Sequence, residues 1–203
     1  MTRIDWDYPE PRGGLAGEWD RFIGPGATRA EVALILGAAL LAGAAMLVYG
    51  LRGDLGWTGL QIALAVLIAA DLGGGVVANA SRATKRWYHR PGQKWWQHVL
   101  FAAAHVYPLL IAWLYREDGW MWGFTIYQGM LLAVLLTLSA PLYLRRPLAF
   151  GLTMALILVD LYAFRPTPGF EWLVPALGLK LLAGYILREE PYAPPGGCSA
   201  AHP

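Results

Sequence analysis

The chain reads as an all-α protein: a polytopic membrane bundle of six transmembrane helices with both termini in the cytoplasm. Three observations lead there. The 203 residues are 57% hydrophobic and only 15% charged, outside the range of most soluble domains. The charges are bunched between long stretches that carry few or none, where a soluble helix would alternate polar and apolar faces. The stretches also have a fitting length, since a hydrocarbon core about 30 Å thick needs roughly 20 helical residues at about 1.5 Å each. Barrel strands would be shorter and would alternate in polarity.

Residues 1–27 are polar and end in the breakers Gly24-Pro25-Gly26, which suggests a cytoplasmic arm with Trp6, Trp19 and Phe22 against the membrane interface. Acidic residues from Asp5 to Asp20 argue against a cleavable signal peptide. Thr28 and Glu31 have capping-box spacing, which opens a first span ending near Tyr49. Further spans are expected at about 55–80, 95–114, 120–143, 148–164 and 170–187, which makes 28–188 the membrane domain and 189–203 a Pro/Gly-rich flexible tail. The breaks are Arg52-Gly53-Asp54, the basic stretch 81–94, Arg116-Glu117-Asp118-Gly119, Arg145-Arg146-Pro147 and Arg165-Pro166-Thr167-Pro168-Gly169. Pro108, Pro141 and Pro175 should kink or end helices.

Orientation follows from the cations, because short loops rich in Lys and Arg stay in the cytoplasm. Arg82, Lys85, Arg86, Arg90 and Lys94 lie between spans two and three, and Arg145 and Arg146 between four and five. The opposite loops hold one Arg each, Arg52, Arg116 and Arg165. Trp57, Trp120, Trp122 and Trp172 then mark the outer interface, and Trp87, Trp95 and Trp96 the inner one. This topology places the chain in the cell inner membrane as a multi-pass protein.

Function has to be sought among the polar groups at bilayer depth, each of which costs about 2.5–3.5 kcal/mol to insert if charged. They are Asp71, His105, Asp160 and Lys180, with Asn79, His98, Gln128 and Ser139 as softer companions. Asp71 lies nine residues before Ala80 and His105 ten after Trp95, so the two share a depth, with Lys180 within about a turn. Asp71, His105 and Lys180 are therefore expected to form a buried acid–base cluster that opens to the cytoplasm past Asn79 and His98. Gly73-Gly74-Gly75 permits either a close helix crossing or a break whose backbone faces a cavity. Arg82, Lys85, Arg86 and Trp87 suggest contacts to lipid headgroups. Asp160, near the outer end of span five, reads as a wetted surface acid.

Several functions are disfavoured. One cysteine, Cys198, allows neither an internal disulfide nor a CxxC motif. A net charge of +2 does not argue for nucleic acid. His98 and His105, about 10 Å apart along a helix, cannot share a metal, so no metal site is expected; no cofactor is specified. A lone lysine in the last span is a feature shared with retinal proteins, but six spans and no matching motif around Lys180 set this chain apart. The leading expectation is a protein that binds or translocates a small solute, proton or ion. An enzyme acting on a lipid or quinone-like substrate at the inner leaflet, with His105 as base, is one alternative; an accessory subunit of a larger complex is another. Membrane lipids are the expected partners, with other membrane subunits or a second copy as candidates.

Overall fold

A computed structural model of the chain describes residues 4, 6–117, 119–189 and 192. Asp5, Asp118 and the tail 190–203 with Cys198, apart from Tyr192, lie outside the described residues. The described chain is helical in this order: α1 (Gly14–Ile23), α2 (Arg29–Gly50), α3 (Gly59–Ala80), α4 (Arg82–Tyr88), α5 (Trp95–Ala103), α6 (Tyr107–Tyr115), α7 (Trp120–Ser139), α8 (Leu142–Ala163) and α9 (Leu173–Leu177). A π-helix, Gly178–Ile186, continues α9 directly.

Among the described residues five helical units are long and apolar enough to cross a membrane: α2, α3, α5 with α6, α7 and α8. The sixth expected span is shorter. Its 5 α-helical and 9 π-helical residues reach no more than about 21 Å, against a core of about 30 Å.

Helix starts follow local chemistry. The Thr28 box forms, with the Glu31 amide donating to Thr28 Oγ1 at 3.1 Å and the Thr28 amide to Glu31 Oε2 at 2.8 Å. A second box, Thr58 with Gln61, starts α3 at Gly59, later than expected. Arg145-Arg146-Pro147 is not a loop. Pro141, whose φ of −55° suits a helix entry, is the N-cap of α8, and the cations lie inside that helix. Arg145 turns back instead, its guanidinium donating to the Leu138 and Ala140 carbonyls at the end of α7 at 2.9 and 3.0 Å.

The third span is interrupted at Pro108, one of the prolines expected to kink or end a helix. Pro108 has no N–H for the Ala104 carbonyl and its ring crowds that group, so the helix parts over Ala104–Val106 and resumes at Tyr107. Side chains serve the freed carbonyls: Tyr127 Oη donates to Ala103 O at 2.7 Å, and His105 Nδ1 to Phe101 O at 2.8 Å.

Gly73-Gly74-Gly75, by contrast, leaves α3 unbroken. A Cβ on Gly73 would stand 2.6 Å from Ala42 Cβ and 3.0 Å from Ala38 O, and one on Gly74 3.0 Å from Ala39 Cβ. Their role is close approach of α2 to α3. The core gathers around Leu72, Ile111, Ile126, Met130, Leu177 and Leu181. The outer faces of α2 and α8 stay apolar and exposed, at Leu40, Leu41, Val48, Phe150 and Met154 among others.

The arm, α4, the start of α8 and the end of the last helix meet at one end of the bundle. Arg86 donates to the Asp7 and Pro25 carbonyls, Arg188 lies over the Trp6 ring, and Arg146 approaches Glu189 at 3.4 Å. Ile4 and Tyr192 pair in an isolated antiparallel bridge.

Candidate functional site

Asp71, Gly75 and Asn79 follow one another at four-residue spacing, so α3 presents them as a single stripe. The stripe faces the π-helix. Lys180 reaches across Gly75 to form an ion pair with Asp71 Oδ2, and Asn79 Nδ2 donates to the Lys180 carbonyl at 3.0 Å. A Cβ on Gly75 would lie 2.7 Å from Lys180 Nζ and 2.8 Å from its Cδ, so the absent side chain is the lysine's channel. The π-helix itself is a feature that concentrates at functional sites, because its wider turn leaves backbone groups out of the usual ladder.

Tyr107, from the first turn of α6, completes the arrangement by donating its hydroxyl to Asp71 Oδ2 at 2.7 Å. One carboxylate oxygen therefore takes both donors. Oδ1 receives none among the described residues, and the Asp71 side chain keeps 35% of its surface accessible, against 4% for Lys180.

His105 is not bonded to Asp71, contrary to the expected acid–base pair. It sits in the helix break and meets Tyr107 edge to face at 5.6 Å between centroids. Its Nδ1 faces the Phe101 carbonyl, which can only accept, so Nδ1 carries a proton and Nε2 is the nitrogen left to exchange one. Tyr107 is the residue that sequence reasoning missed. An aromatic hydroxyl two places from His105 was the available signal, but which helix it would address depended on the break.

His98 is buried beside the α4 loop. It stacks on His89 at 5.1 Å and meets Tyr185 edge to face at 5.4 Å, while its buried Nδ1 has no hydrogen-bond partner among the described residues. Tyr185 stacks on Phe101 at 4.0 Å, and Phe101 on His105 at 4.9 Å. Rings thus run without a gap from the α4 loop to Tyr107 and the ion pair. At the loop end, burial beside His98 lowers the His89 pKa to about 3, so it is neutral and donates through Nε2 to the Tyr185 carbonyl at 2.9 Å.

The expected headgroup contacts need correction for two residues. Lys85 and Arg86 are turned inward, 4% and 3% exposed. Lys85 donates to the Gly184 and Leu187 carbonyls, closing the C-terminal end of the last helix, and burial brings its pKa down to about 8. Trp87 packs between Tyr8 and the guanidinium of Arg90, and Arg82 is half-buried.

Trp122 is no interfacial anchor. It is 2% exposed, and its indole N–H donates to Asp160 Oδ1 at 2.7 Å, which ties α7 to α8 near their other end. Among the described residues no group of three or more His, Cys, Asp or Glu side chains converges on a metal position. An apolar groove of about 570 Å³ runs between α2, α3 and the last helix, lined by Ala42, Met46, Leu72, Gly73, Trp172 and Leu179, and neither Asp71 nor His105 borders it. Compared with family models, curated proteins and solved structures, the chain finds no match in any of the three.

Proposed function

We propose that this is a six-span integral membrane protein with both termini cytoplasmic, whose Asp71–Lys180 pair binds and passes on a proton, alone or with a small solute or ion. One observation carries the reading: Asp71 offers a free Oδ1 while its other oxygen is held by Lys180 and Tyr107, in the seam between a broken helix and a π-helix. Lys180 is the counter-charge, His105 Nε2 the proton partner beyond Tyr107, and Asn79 with His98 the gate towards the loop end. The six-span topology is supported by the meeting of arm, α4, α8 start and C-terminal segment at one end, which an even number of crossings requires.

Difference infrared spectra of wild type and Asp71→Asn in liposomes test the site. A carboxyl band present only in wild type and changing when a proton gradient is imposed is expected, together with proton uptake under a potassium diffusion potential that the variant lacks. A band that never changes, or equal uptake by both proteins, overturns the reading.

A second reading, a structural subunit, draws on the near-complete enclosure of Lys180 and on the exposed faces of α2 and α8. It requires that Asp71→Asn impair assembly while no carboxyl signal exists to be lost. The enzyme alternative has less support, because the apolar groove stays clear of His105.

A further inference from the structure

With Lys85 and Arg86 turned inward, the cations that remain open at this end of the bundle lie elsewhere. A cleft of about 430 Å³ separates the start of α8 from the segment after the last helix, and Arg145, Arg146, Arg188 and Glu189 line it with Leu142 and Leu187. We propose that this cleft binds the phosphate of an anionic phospholipid.

Charge is the first argument. Among the described residues of the lining three guanidinium groups face one carboxylate, and that carboxylate meets Arg146 only at 3.4 Å, with the arginine side chain 73% exposed. An exposed pair of this length contributes little and yields to a better acceptor. Geometry is the second. Arg188 lies with its guanidinium carbon 4.7 Å above the Trp6 ring, a contact that holds the cation beside the cleft, and a guanidinium offers a fork of N–H donors that matches a phosphate. Arg145 is fixed in place by its bonds to Leu138 O and Ala140 O. α8 also begins with no acidic residue in its first turn and no side-chain cap, so Arg145 and Arg146 stand at the positive end of a 22-residue helix with no acid on that turn to offset them.

A lipid is favoured over free phosphate because the same turn of α8 exposes large apolar groups. Leu142 is 62% and Tyr143 79% exposed beside the cleft, on a helix long enough to cross the bilayer, which gives acyl chains a surface to follow.

Native mass spectrometry and thermal unfolding of the full chain in micelles, with phosphatidylglycerol, phosphatidylcholine or inorganic phosphate added, provide the test. Wild type should bind phosphatidylglycerol in preference to phosphatidylcholine and unfold at a higher temperature with it. Arg146→Ala with Arg188→Ala should weaken that binding by about tenfold per guanidinium removed and abolish the thermal difference. Arg52→Ala with Arg165→Ala, at the other end, should leave both unchanged. If the double alanine variant does not fold, Arg146→Lys with Arg188→Lys replaces it; charge is kept but the fork is lost, so the preference must shrink. Equal binding of the two lipids, or a preference that survives these substitutions, overturns the site. Inorganic phosphate reproducing the thermal shift overturns the lipid as its ligand.

Discussion

Cutting the Asp71–Lys180 pair from its two sides should have unequal consequences. Asp71→Asn leaves the Lys180 ammonium with 4% of its side chain accessible and no counter-charge. Stranding a buried charge in this way costs about 3–5 kcal/mol. Lys180→Met instead leaves a carboxylate that retains the Tyr107 hydroxyl at 2.7 Å and 35% accessibility, so its loss should be nearer about 1–2 kcal/mol. The double variant Asp71→Asn/Lys180→Met removes the stranded charge and should be more stable than Asp71→Asn alone, with a coupling of about 2 kcal/mol or more. Equilibrium unfolding of the four proteins by sodium dodecyl sulfate in mixed micelles measures each value. A Lys180→Met variant less stable than Asp71→Asn, or a double variant equal to the sum of the two losses, would refute the burial asymmetry and with it the picture of an enclosed lysine beside an accessible acid.

The glycines separate packing from function. Gly75→Ala collides with the flexible end of Lys180, so the lysine should leave Asp71 while the fold persists, seen as wild-type-like circular dichroism with an infrared carboxyl signal altered from that of wild type. Gly73→Ala meets Ala42 and the Ala38 backbone instead, and should lower the unfolding midpoint by forcing α2 away from α3. Lys85 predicts a pH dependence. Its folded pKa is lowered to about 8, below the unfolded 10.5, so between these values the unfolded chain holds more protons and this lysine's contribution to stability rises with pH, by up to about 3 kcal/mol; in Lys85→Met, unfolding midpoints should lack this rise relative to wild type over that window. Thr28→Ala should cost about 1 kcal/mol, the usual value of an N-cap, in the same unfolding assay.

The membrane class and the approximate position of each long helix were legible in the sequence, because a run of about 20 apolar residues is a local property and a bilayer rewards it wherever the rest of the chain goes. The depth of Asp71 and Lys180 was legible for the same reason, since counting residues along a helix measures height. What counting cannot give is azimuth. Asp71 met Lys180 and Tyr107 and not His105, because Pro108 broke the third span and turned His105 back onto Phe101, while the π-helix set the facing of Lys180. Gly75 could be read as a small residue, but its purpose as a passage for one particular side chain exists only once two helices distant in sequence lie together. The inward turn of Lys85 and Arg86 belongs with these cases: their charge carried only an expectation of sidedness and headgroup contact, and the carbonyls at the end of the last helix and along the arm decided what they hold.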